Sequence, residues 1–330
     1  MEITPEIRKQ FIKENYAIVG NHSGVKICNW TKNSLKDEGC CYKEKFYGIK
    51  SHLCCQMSCT LLNCQNNCIH CWRDLKYSCP DKIIECDNPK EIIDGCIEAQ
   101  KKLLTGFKID PNGKKKQLSR ANQEKLEEAQ EPMQFAVSLT GEGLLYERIG
   151  DLIDELSSRG KTSFLVSNGL CPEKMKELLE KNQLPTQFYV SVNTSNEDLW
   201  KKFHRSSEKN GWEKLNESLE ILKEIGEKAR TVFRMNLIRD LNMEEKHLDE
   251  YAEMIKKTEP WFVEVKGYMA VGHARERLGY DRMPTYDEMK VFVEKLAEKT
   301  GLKFLDSHER SRAFVLGKDK EMLKIKYQKK

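Results

Sequence analysis

Apolar and polar positions along this chain switch repeatedly between two periods. Short apolar runs at residues 56–62, 134–139, 162–166, 187–192, 229–238 and 261–269 have the length and side-chain content of strands. Helical spacing separates them. Asn88 caps and Pro89 opens a helix reaching about residue 104. Further helices are predicted over 147–159 (stopping at Gly160), 172–182, 212–225, 243–257 and 284–299. Ile221, Leu222 and Ile225 share one helical face. A last strand is predicted at 312–316.

Six strand–helix units in succession imply an α/β protein on a parallel sheet. A partly open (β/α)6 barrel and a doubly wound sheet both fit, and in either the functional residues gather at the C-terminal ends of strands. Those ends carry Cys64, Cys68 and Cys71, then Gly141 and Glu142, Ser167 and Asn168, Asn193 and Thr194, Arg234 and Asn236, and Lys266 and Gly267. The division expected is a cysteine-bearing N-terminal segment (1–55), a barrel (56–316) and a basic tail (317–330). Residues 6–16 suit a short helix in the first segment, whose remainder is punctuated by Gly and Asn. Residues 109–131 read as a polar insertion with Lys114, Lys115 and Lys116 and a helix from Ser119.

Charge alters this picture little. The net charge of +4 permits a nucleic-acid partner without requiring one, because Lys and Glu are interleaved as on solvated helix faces. No apolar run is long enough to span a membrane, and the N-terminus lacks a signal-peptide pattern, so the cytoplasm is the expected compartment.

Cysteine changes it more. Twelve of the 13 cysteines lie between Cys28 and Cys96, a crowding that suits metal or iron–sulfur ligation better than a disulfide scaffold. Cys64, Cys68 and Cys71 form C-x3-C-x2-C, three ligands suited to a four-iron cube with one iron open. A structural zinc site would need a fourth ligand from Cys79, Cys86 or His70. Upstream, Cys28, Cys41 and Cys54 have twelve residues between each pair, with Cys40, Cys55 and Cys59 near enough to compete.

The cysteine loop after a first strand resembles the radical S-adenosylmethionine (SAM) superfamily. That resemblance implies a partial (β/α)6 barrel with an N-terminal cysteine-rich extension, and a [4Fe–4S] cluster on Cys64, Cys68 and Cys71 whose open iron binds SAM. Gly141-Glu142 resembles the loop that contacts the methionyl amino group, and Ser167, Asn168, Ser191, Asn193 and Arg234 are candidates for the ribose and carboxylate. Six segments extend the likeness: Gln56-Met-Ser58, Cys71-Trp-Arg73, Ser138-Leu-Thr-Gly-Glu142, Ser163-Phe-Leu-Val-Ser-Asn168, Val263-Glu-Val-Lys-Gly-Tyr268 and Ser307-His-Glu-Arg-Ser-Arg312. Together they resemble the tRNA 4-demethylwyosine synthases. Gly143 stands where relatives usually have proline, and His70 where they have phenylalanine or tyrosine.

This family resemblance implies a carbon–carbon lyase. Two carbons of pyruvate join N1-methylguanosine 3′ of the anticodon of phenylalanine tRNA, the third is lost, and an imidazoline ring closes. It implies a second [4Fe–4S] cluster on Cys28, Cys41 and Cys54, and a Schiff base between Lys43 and the keto group. Because the chain starts close to these cysteines, an external flavodoxin- or ferredoxin-type electron donor is expected. For RNA contact, Arg275, Arg277 and Arg282 rank above Lys114–Lys116, the run 201–205, Arg310 with Arg312, and the tail 324–330. The rival readings are a radical SAM enzyme with an auxiliary cluster acting on a small molecule or peptide, and a zinc-stabilised binding module.

Overall fold

A computed structural model describes residues 2–83, 86–108 and 121–326. The run Lys114–Lys116, Ser119 and the tail beyond residue 326 lie outside the described residues. Ten strands form one sheet in the order β1-β2-β3-β4-β5-β6-β7-β8-β10-β9. They are β1 (Ala17–Val19), β2 (Ser23–Val25), β3 (Cys54–Ser58), β4 (Gln134–Val137), β5 (Thr162–Ser167), β6 (Gln187–Ser191), β7 (Arg230–Leu237), β8 (Phe262–Gly267), β9 (Lys303–His308) and β10 (Ala313–Gly317). The strands β3 to β8 run parallel in chain order and are the six expected from the apolar runs. They form the partial (β/α)6 barrel of an α/β protein. Antiparallel pairs extend it at both ends: β1–β2 lies against β3, and β10–β9 against β8.

Helices flank the sheet on both faces. In chain order they are α1 (Pro5–Lys13), α2 (Asn29–Leu35), α3 (Tyr42–Tyr47), α4 (Pro89–Leu103), α5 (Gln123–Glu128), α6 (Ile149–Ser158), α7 (Pro172–Glu180), α8 (Glu197–His204), α9 (Gly211–Ile225), α10 (Leu248–Thr258), α11 (Ala274–Leu278) and α12 (Tyr286–Thr300). Parallel strands need such crossovers and are buried on both faces. Outward-pointing Phe135, Val137, Leu165, Phe188, Phe233 and Val263 pack with Ile93, Ile153, Leu178, Leu222 and Leu296 of the helices. Inward-pointing Ala136, Phe164, Tyr189, Val232 and Phe262 form a second core with Phe46 and Tyr47 of α3. Burying those two rings stabilises the plugged end by roughly 1.5–3 kcal/mol each.

Several boundaries differ from the sequence reading. The first barrel strand ends at Ser58 rather than 62, because the Ser58 hydroxyl donates to Thr140 O (2.6 Å) and accepts from Thr60 N (2.9 Å), turning the chain off the ladder. The first helix ends at Lys13 rather than 16; Thr4 caps its start, and Asn15 with φ 64° turns the chain after it. The helix expected from 243 begins at Leu248, after a 3-10 turn at Glu245–His247. Strands β1, β2 and β9 and helices α2, α3, α8 and α11 were not anticipated. The first two strands have three residues each, too few for a period to register.

Candidate active site

The loop after β3 is held by its neighbours. Cys64 N donates to Cys79 O (2.7 Å), Asn67 N to His204 O (2.9 Å) and Ile69 N to Phe203 O (3.0 Å). Buried Arg73 sits among the three cysteines. Its guanidinium donates to Asn66 O (2.7 Å) and Ser78 Oγ (2.9 Å). Burial opposes its charge, but Cys64, Cys71 and Cys68 outweigh burial and hold its pKa above the ordinary value. The thiols of Cys64 and Cys68 are pushed up by burial first, so a bound metal is what displaces their protons. His204 Nδ1 lies 3.2 Å from Cys68 Sγ. His70 packs its ring 5.1 Å from Phe203, filling the aromatic position expected of it. Burial lowers His70 to about 4 and His204 to about 3, so both are neutral at neutral pH.

Among the described residues, no three Cys, His, Asp or Glu side chains converge on one metal ion. A mononuclear zinc site requires that convergence. A four-iron cube does not, since each thiolate binds its own iron. Three adjacent thiols with a buried cation beside them therefore fit a cluster with one open iron.

The next strand ends adjoin this loop. Gly141 has φ 75°, and a Cβ there would overlap the Thr60 carbonyl, so glycine is required. Glu142 N donates to Asn63 O (2.7 Å). The Glu142 carboxyl, 1% exposed, accepts from Asn168 N (2.6 Å) and Leu144 N (3.1 Å). Burial lifts it to about 7 despite those N–H donors. Asn168 Nδ2 reaches Gln65 Oε1 (3.1 Å) and faces Cys64 Sγ (3.7 Å), and Ser167 Oγ accepts from Gly169 N (3.0 Å). Gly141, Glu142, Ser167 and Asn168 thus share one region with the cysteine loop.

The remaining candidates separate. Asn193 Oδ1 accepts from Asn236 N (3.0 Å) and its carbonyl from Asn242 Nδ2 (2.7 Å), which staples two strand ends. Ser191, half-buried, is paired with Arg234 across β6 and β7. Arg234 lies deeper, 3.7 Å from Glu264 and beside Tyr189. Arg277 donates to Ile69 O (3.1 Å) and to Cys71 O, so it clasps the cysteine loop. Arg282 reaches Arg239 O (3.3 Å), while Arg275 is exposed.

A second group faces the barrel interior. Cys28 and Cys41 begin α2 and α3, and Cys54 begins β3. Burial, then the neighbouring Cys28, pushes Cys41 and Cys54 up to about 12. Cys55 and Cys59 pack instead into the outer core, on the other face of β3. The Lys43 ammonium lies 4.7 Å from both the Phe164 and Tyr189 ring centres. Burial lowers its pKa, with Arg234 assisting and Glu264, Cys41 and Cys54 opposing. Fully buried Glu264 accepts from Tyr42 OH (2.8 Å) and Tyr47 OH (3.1 Å). Arg73 and Glu264 lie within the segments of resemblance and His204 within the basic run 201–205, but none was singled out for a role at this site. Glu264 left one signal: it and Lys266 are charges two apart in an otherwise apolar strand, hence on one face.

Residues 60–252 match the radical SAM superfamily, and residues 257–318 match the family described as wyosine base formation. The chain is 40% identical to the SAM-dependent tRNA 4-demethylwyosine synthase of Pyrococcus abyssi over 95% of its own length and 89% of that protein's. It is 34% identical to the Methanocaldococcus jannaschii enzyme of the same name, covering 95% and 96% of the two chains. A solved structure of TYW1 with a lysine–pyruvate adduct bound superposes with a TM-score of 0.83 at 32% identity, over 98% of both chains. An archaeal TYW1 crystal structure gives 0.75 at 29% identity over 96% of both.

Proposed function

Because this chain belongs to the tRNA 4-demethylwyosine synthases of the radical SAM superfamily, we propose that it builds the tricyclic base from N1-methylguanosine in tRNA and two carbons of pyruvate. The reaction is that of a carbon–carbon lyase acting on the phenylalanine tRNA anticodon loop. The wyosine match over 257–318 favours it over a small-molecule or peptide substrate. The observation that carries the pyruvate step is Lys43, a buried amine over Phe164 and Tyr189 beside Cys41 and Cys54.

Cys64, Cys68 and Cys71 would hold one [4Fe–4S] cluster, and Cys28, Cys41 and Cys54 a second. Given an electron from an external flavodoxin- or ferredoxin-type donor, the chemistry that a cluster there would supply is reductive cleavage of SAM to a 5′-deoxyadenosyl radical. Arg73 offsets the negative charge of its three thiolates and fixes the loop through the Asn66 carbonyl. The Gly141 turn keeps the chain close against Thr60, and Glu142 joins the ends of β4 and β5. Burial lowers the proton affinity of Lys43, which favours the neutral amine that adds to a keto carbon; water then leaves and a C=N bond replaces C=O. The surrounding rings exclude bulk water, which slows hydrolysis of that imine. A tRNA substrate is in keeping with work in the cytoplasm. Among the described residues no helix is long and apolar enough to cross a membrane.

The test is anaerobic turnover with pyruvate and N1-methylguanosine-containing tRNA, followed by mass spectrometry of the nucleosides. Tricyclic product is expected, with no 5′-deoxyadenosine from Cys64→Ala. Cofactor cleavage at the wild-type rate in that variant would remove the assignment of the first cluster.

A further inference from the structure

We propose that Lys266 on β8 binds the carboxylate of the α-keto acid whose carbonyl condenses with Lys43, with Arg234 on β7 as its flanking cation. The proposal rests on the Lys43 reading above and adds what holds the other end of the substrate.

Charge balance inside the barrel points to it. Two cations, Arg234 and Lys266, and the Lys43 amine face the Glu264 carboxylate, with Cys41 beside both lysines. That carboxylate is already committed. Both its oxygens accept tyrosine hydroxyls, and Arg234 Nε stands 3.7 Å from Oε1. Lys266 is left over: among the described residues its amine has no hydrogen bond or ion pair and lies only over the Tyr42 ring, 4.9 Å from its centre. A half-buried ammonium on the barrel interior with no direct hydrogen-bonded anion is suited to an anionic ligand.

Placement agrees with charge. Arg234 is opposite Glu264 in the β7–β8 register, and Asn236 is opposite Lys266. Alternation puts Arg234 and Asn236 on one face of β7, and Glu264 and Lys266 on one face of β8. Lys43 and Arg234 flank the same Tyr189 ring, while Lys266 lies over Tyr42, one residue before Lys43. The amine that attacks and the amine left unpaired therefore line one chamber. Carbonyl and carboxylate are adjacent carbons in an α-keto acid, so both amines serve one small molecule. Both Glu264 and Lys266 fall within the segment matched to wyosine base formation.

The covalent step read out is imine formation and its reduction. The Lys43 amine adds to the keto carbon, water is lost, and hydride from cyanoborohydride converts C=N to a stable secondary amine. Cluster-loaded protein would be titrated anaerobically with pyruvate and, separately, with hydroxyacetone, a ketone without a carboxylate. Adducts would be mapped by peptide mass spectrometry. For Lys266→Met, the pyruvate concentration giving half-maximal labelling should rise about 10- to 100-fold, the loss of one charge-assisted hydrogen bond. Labelling by hydroxyacetone should stay within about twofold, which also shows that the chamber has folded; Lys266→Gln is the alternative if the Met variant does not fold. Lys266→Arg should recover most of the pyruvate affinity.

Unchanged pyruvate labelling in Lys266→Met would overturn the proposal. So would equal losses with both ketones, or an adduct mapped to Lys266 itself. Absence of any Lys43 adduct in the wild-type protein would instead overturn the Lys43 reading on which the proposal stands.

Discussion

Glu142 is a carboxyl placed where its charge is expensive. Burial holds its proton until about pH 7, against an ordinary 4.5. Between those values the folded protein keeps a proton that the unfolded chain has lost, so stability falls as pH rises through that window, by up to about 3 kcal/mol. Above about 7 both states are ionised and the loss is constant. Glu142→Gln should therefore unfold at higher denaturant than wild type at about pH 8, with a gain of about 1–3 kcal/mol that disappears at about pH 4, measured by urea unfolding of cluster-free protein. The same variant should bind SAM more weakly, because the missing carboxylate is the natural partner of an ammonium group. Gly141→Ala is a different kind of loss. Its φ of 75° and the overlap with the Thr60 carbonyl demand that the backbone move, so SAM binding should fail in equilibrium dialysis even where the variant folds.

At the level of elements, the segment from β8 to α12 lies across the cysteine loop. His273 N donates to Trp72 O (3.0 Å), and Arg277 on α11 clasps the Ile69 and Cys71 carbonyls. Neighbouring Arg275 on the same helix is exposed. The two arginines should thus behave differently. Arg275→Ala should weaken tRNA binding by a few-fold, lower the salt slope by about one ion, and leave the cluster absorbance unchanged. Arg277→Ala should alter the cluster absorbance and SAM cleavage first, having freed the loop carbonyls it holds. Equal effects on RNA and cluster in both variants would contradict this division. Helix α12 is set independently by a capping box of Thr285 and Glu288, and Thr285→Ala should cost about 1 kcal/mol in urea unfolding. Caps such as this, and Asn196 before α8, follow local rules. Helix α8 was not anticipated although Asn196 is a local cap signal, because Lys201 and Lys202 read as a basic run.

For the whole molecule, the proposal of one cube on each cysteine triplet predicts about eight irons per chain after anaerobic reconstitution. Cys28→Ala with Cys41→Ala should halve that to about four and leave SAM cleavage without tRNA in place; iron and sulfide analysis reads the first and chromatography of 5′-deoxyadenosine the second. Loss of all iron in that variant would show that the triplets depend on each other for folding. The division between what was readable and what was not follows from the range of the forces involved. Six strands, their crossover helices and the Cys64–Cys71 loop are local patterns, set by side-chain period and by spacing within a few residues, and the amino-acid order alone determined them. Which cysteines share a chamber is decided by the pleat of one strand: Cys54 and Cys55 are adjacent in the chain but face opposite cores. The same holds for Arg234, which ends beside Glu264 and Lys43, and for Lys266, left without a counter-ion. Only the tertiary structure decided these, because strand register and burial bring together charges some 200 residues apart in the chain, and their pairing has no sequence period to announce it.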